Sequence, residues 1–171
     1  TELGFSLARE LDGVSKSPGA FPEAARARTL PANRRLALAT LAVDSLVDGA
    51  LNEGVSARLL GRLQKRCTDP RIKSVLKEIA ADEGRHAAHG WDVVSWCLAE
   101  GGDAVADALW GGLQALPRGM SSTLPPAAED GSWERFGIHS RALEVESFGR
   151  TRADLAMRLE RLLAGRRAVA S

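Results

Sequence analysis

The stretch that decides the fold is Ile79-Ala80-Ala81-Asp82-Glu83-Gly84-Arg85-His86-Ala87. It lies inside a run that reads Val75, Ile79, Glu83, His86, Gly90, Val93, Cys97, in steps of three and four. That period predicts one face of a helix. Glu83 and His86 interrupt the face on the side expected to be dry. A carboxylate and an imidazole one turn apart on a buried face are costly unless something pairs them. A metal ion is the simplest partner, and Glu-x-x-His is the spacing by which one helix offers two ligands to a bundle core.

Moving outward, Thr68-Asp69-Pro70 marks a boundary. Asp69 can cap a helix, and Pro70 then occupies its first position, where a missing N–H is harmless. Glu53 stands fifteen residues before Thr68 and Glu83 fifteen after it. At about 1.5 Å rise per residue both lie roughly 22 Å from the turn, so an antiparallel hairpin would set them side by side. The expected long helices run over about 33–67, with Asn33 as cap, and about 70–100, closed by Gly101-Gly102. The first is expected to bury Ala39, Val43, Leu46, Ala50, Ala57, Leu60 and Leu63, with Glu53 in phase. Gly49, Gly54 and Gly61 inside it read either as close approach by another backbone or as a loose helix. Glu53, Glu83 and His86 are the candidate metal ligands.

The remainder is helical in character. A third helix is expected from Asp103, a cap candidate, to about Leu116. Residues 117–132 form a Pro-, Ser- and Gly-rich loop. A fourth helix is expected from about Ser140 to Ala164, with a seam of Val145, Phe148, Arg152, Leu155, Leu159 and Leu162. Residues 1–30 read as an irregular cover segment and 31–171 as one helical domain. The class is all-α.

With 171 residues, 44% of them apolar, the chain can bury a real core. A formal net charge of +1 offers no electrostatic case for nucleic acid, and no apolar run approaches the roughly 20 residues that span a bilayer. Cys67 and Cys97 are too far apart along one helix to bridge, which suits a reducing, cytoplasmic setting. Trp91 and Trp96 are expected on or near the packed side.

Other acids and imidazoles are weaker candidates. His89 diverges from Glu83 by about 120° around the helix and reads as rim. Asp48 could pair with His89 or Arg85, or support a ligand from outside. Asp82 is expected to face solvent or an arginine. Glu144 and Glu146 open the fourth helix, and Glu146 could complete a site, although a solvated face is the plainer reading. His139 reads as surface. The alternative to a metal is a hydrogen-bonded Glu83/His86 pair in a metal-free helical scaffold or interaction protein.

The runs Asp48-Gly49-Ala50-Leu51-Asn52-Glu53-Gly54 and Ile79 to Ala87 resemble the ferritin-like superfamily, and within it bacterial ferritin-like domain proteins. The likeness covers about residues 35–101. It implies a four-helix bundle holding two iron or manganese ions, with each helix pair giving one Glu and one Glu-x-x-His. By that pattern Glu53, Glu83 and His86 form one half-site of a ferritin-like domain over 31–171. Zinc also suits such donors. A second Glu-x-x-His is missing from this sequence. The other half would come from a second copy in a homodimer, from another segment or chain, or from nowhere. With two irons, the resemblance implies oxygen-dependent oxidation, as a ferroxidase or as an oxidoreductase acting on an organic substrate.

Overall fold

A computed structural model of the chain describes residues 30–119 and 130–169, together with residues 6, 9 and 10. The cover segment expected over 1–30 and the middle of the 117–132 loop fall almost wholly outside these. Among the described residues the chain is all-α. Helix α1 (Arg34–Asp44) passes into a π-helical segment (Ser45–Glu53) and then into α2 (Gly54–Arg66). The joining residues keep right-handed helical dihedrals, so the three pieces make one rod. Helix α3 (Pro70–Gly101) returns beside it, α4 (Asp103–Ala115) follows, a short 3-10 turn (Glu134–Phe136) comes next, and α5 (Arg141–Val169) closes the chain. No helix among the described residues is long and apolar enough to cross a membrane.

The local signals act as their chemistry requires. Asn33 accepts a hydrogen bond from the Leu36 N–H, and Asp69 accepts from Arg71 and Ile72 with Pro70 at the first position. Gly102 takes a φ of 67°, which stops α3 and starts α4. Asp103 is therefore the first residue of α4 rather than its cap.

The first rod departs from the expected face. Leu46, Ala50 and Leu63 are buried as expected, and Leu38, Ala42, Leu51, Val55 and Leu59 are buried with them. Ala39, Val43, Ala57 and Leu60 are only half-buried flanks. The reason is a one-residue shift of the face between Ala50 and Leu51, which are both buried. A π-helical segment takes up that residue with i→i+5 bonding and resets the phase. On α3 the core side is Leu76, Trp91, Val94, Cys97 and Leu98, and Trp96 is exposed. Burial raises the Cys97 thiol, as a core role requires; both cysteines are free and buried.

The rods touch backbone to backbone at Gly49 and Gly90, where a Cβ on Gly49 would stand 2.8 Å from the Gly90 Cα. Of the three glycines in the first rod, Gly49 meets backbone, Gly54 meets the Thr151 side chain, and Gly61 meets nothing within 4 Å.

Helix α5 docks through a ladder of arginines spaced one turn apart on α2. Arg58 donates from Nε to the Thr151 hydroxyl (3.0 Å) and pairs with Asp154. Arg62 donates to Glu146 (2.7 Å), and Arg66 pairs with Glu134 in the 3-10 turn. The seam of α5 also differs from the expected one: Val145 is exposed, and Leu143, Ser147, Phe148 and Thr151 face inward beside Leu155 and Leu159.

Glu134 is the buried anchor of this end. Burial alone would push its carboxyl up, but hydrogen bonds from Ser140 and Arg66 outweigh burial and hold it below the usual range. A carboxyl lowered by folding lends stability above its ordinary range and loses it as pH falls through the depressed value. Arg66→Ala should therefore cost about 2 kcal/mol at neutral pH, the scale of a hydrogen bond to a charged group. The difference from the parent should narrow in acid; urea unfolding at both pH values measures it.

Candidate metal centre

Gly49 touches Gly90, so four residues toward the turn on each rod brings Glu53 level with His86. Glu83 sits one turn nearer the connection. The expected pairing of Glu53 with Glu83 at one depth is thus corrected by a turn, because the Gly49–Gly90 contact sets the register. The three side chains still converge. One ligand atom from each of Glu53, Glu83 and His86 lies within 4.8 Å of the others. Donors about 2.0–2.2 Å from a shared ion stand about 3–4 Å apart, so the cluster must contract only slightly to hold one.

The surroundings differ from a dry core. The Glu83 side chain is 24% exposed and that of His86 58% exposed, and Glu53 is half-buried. The face that carries them is a flank of the helix seam: Val75, Ile79 and Val93 are only partly covered. A burial penalty is therefore not what demands a cation here.

Like charge is the stronger argument. The Glu53 carboxyl is raised above its usual range, first by a hydrogen bond shared with Glu83, then by burial and by the Glu83 charge; the Asp48 charge adds to this and His86 opposes it. Two carboxyls this close resist being ionised together in the absence of a cation. The imidazole Nδ1 stands 3.6 Å from Glu83 Oε2, and Nε2 4.0 Å from Asp82 Oδ1. Asp82 itself accepts from Arg85 at 2.7 Å.

The other candidates are placed elsewhere. Glu146 is held by Arg62 and Arg150 and is part of the α5 dock, not of a site. Glu144 lies 4.0 Å from His139, which is half-buried rather than a surface residue. His89 is exposed, as a rim residue would be. Asp48 is exposed and acts on Glu53 through its charge. The residues that sequence reasoning undervalued are Gly90 and the π segment, which fix how near the ligands come. The adjacent apolar pair Ala50-Leu51, where one four-residue period ends and the next begins, is the signal that would have found the latter. π-Helical turns inside α-helices occur often at functional sites. Compared with known proteins, the chain matches no family model, no curated protein and no solved structure.

Proposed function

We propose that the protein binds a divalent first-row metal ion, iron first and manganese or zinc next, through Glu53, Glu83 and His86. The observation that supports this most is the convergence of two carboxylates and an imidazole on one seam, with the acids near enough to contest a proton. Hard oxygen donors with one imidazole suit these ions. Glu53 supplies one carboxylate, whose ionised form the cation favours, Glu83 supplies the second, and the exposed His86 ring turns to complete the set. Three donors leave coordination positions open toward the uncovered flank. We read the partner as a second copy of this chain, or another chain, contributing its own acids and imidazole there. Iron in such a carboxylate-rich centre supplies oxygen-dependent oxidation, the oxidoreductase or ferroxidase chemistry that the ferritin-like resemblance implies. Two free thiols fit a reducing, cytoplasmic setting.

The test is the metal-to-protein ratio after anaerobic iron loading, taken together with the native mass. About one ion per chain in a dimer is expected. Glu83→Ala should lose stoichiometric metal while its helical circular dichroism survives. Unchanged metal in that variant, or no uptake by the parent, overturns the proposal and favours the metal-free scaffold.

A further inference from the structure

The residue that follows each of the three ligands, namely Gly54, Gly84 and Ala87, lines a cleft of about 290 Å³ between the two rods and α5. Successive helix positions turn by about 100°. On antiparallel rods both turns lead to the same flank, so this cleft lies across the seam from the metal ligands. Its floor is made of glycine and alanine, and its wall holds Trp91, Arg58 and Arg158. The Arg158 guanidinium lies over the Trp91 ring, 4.3 Å from its centroid. Arg58 spends its charge on Asp154. Arg158, itself exposed, makes no ion pair among the described residues. Two guanidiniums and one carboxylate leave the cleft with one positive charge in excess.

The geometry points to this cleft as a binding site for a small carboxylic acid with an apolar body. The acid's carboxylate pairs with Arg158, whose planar fork matches it in two hydrogen bonds. The apolar body lies on the Gly84 and Ala87 side of the floor against Trp91, where the missing side chain of Gly84 leaves room for it. The volume sits at the small end of ligand sites and fits a single ring or short chain. A neutral molecule of the same shape loses the ion pair, and an inorganic anion loses the floor. This site does not depend on the metal reading, since none of the three metal ligands lines the cleft.

The test uses the full chain without added metal, with benzoate as probe and benzamide and inorganic phosphate as controls. Amide shifts at Gly54, Gly84 and Thr151 in nitrogen–proton NMR spectra report occupancy. Benzoate should saturate below about 10 mM, weaken with added salt, and bind at least about tenfold tighter than benzamide or phosphate. Arg158→Gln should lose about tenfold or more, with unfolding changed by no more than the loss of its contact with the Trp91 ring. A Cβ on Gly84 meets nothing within 4 Å, so Gly84→Leu should fill the floor and block benzoate without disturbing the fold. No saturation, equal binding of benzamide, or undiminished binding by both variants overturns the inference. Metal uptake by the parent stays as before in every case.

Discussion

Gly90→Ala is expected to destabilise the protein by about 2–3 kcal/mol, the upper range for overpacking, although alanine is the better helix former by about 1 kcal/mol. A Cβ at Gly90 would meet Ala50 N at 2.7 Å, Gly49 Cα at 2.8 Å and Gly49 C at 2.9 Å. All three are backbone atoms, so no rotamer change relieves the clash and the rods must part or slide. The thermal midpoint should fall by roughly 5–10 °C in a domain of this size. The matching control is Gly61→Ala in the same rod system, where nothing lies within 4 Å. There the same chemical change should be neutral or stabilising by up to about 1 kcal/mol. A loss at Gly61 equal to that at Gly90 would show that the effect is not contact. Because Glu53 and His86 lie one turn from the Gly49–Gly90 contact, Gly90→Ala should also weaken metal uptake, while Gly61→Ala should leave it alone.

That contact shows what the sequence could and could not reveal. Caps and turns were legible because they are local: Asn33, Asp69, Pro70 and Gly102 each act on backbone within a few residues. The hairpin was legible too, since two long apolar periods joined by Asp69-Pro70 have few other ways to bury their faces. The phase of the first rod is not legible from a single period. Treating Leu46 to Leu63 as one α-period hides the extra residue at Ala50-Leu51. Glu53 stands level with His86 rather than Glu83 because Gly49 meets Gly90, a contact that no local signal announces. The exposure of His86 was not legible either. Periodicity tells which way a side chain points along the seam, but not whether another element covers it, and α5 covers the other flank. The arginine ladder lay equally beyond reach. Arg58, Arg62 and Arg66 read as a solvated stripe until α5 and the 3-10 turn bring Asp154, Glu146 and Glu134 to them.

Glu53→Gln should move stability and metal binding in opposite directions. In the metal-free protein the Glu53 carboxyl is raised, chiefly by the hydrogen bond shared with Glu83, then by burial and the Glu83 charge. A carboxyl raised by folding contributes stability that is fully present below its unfolded value and lost as pH rises through the folded one. At neutral pH the pair is therefore a like-charge liability, which an amide removes while keeping the size and a hydrogen bond. Metal-free Glu53→Gln should be more stable than the parent at neutral pH by about 0.5 kcal/mol, the scale of partly exposed like charges. That is a rise of about 1–2 °C in thermal midpoint, and it should vanish in acid, where the parent carboxyl is protonated as well. With iron(II) or manganese(II) in excess the order should reverse. Metal raises the parent's midpoint by binding only the folded state, and the variant, short of one donor in three, should bind about 100-fold more weakly, at least as large a loss as that of an outer-shell partner. Thermal unfolding with and without metal, at neutral and acid pH, reads all four conditions. If Glu53 were only a structural partner of Glu83 and His86, the amide would cost stability at neutral pH and metal would shift both proteins alike. The crossing of the two curves is what a site built to hold a cation requires, because the repulsion that strains the empty cluster is the same interaction that an ion relieves.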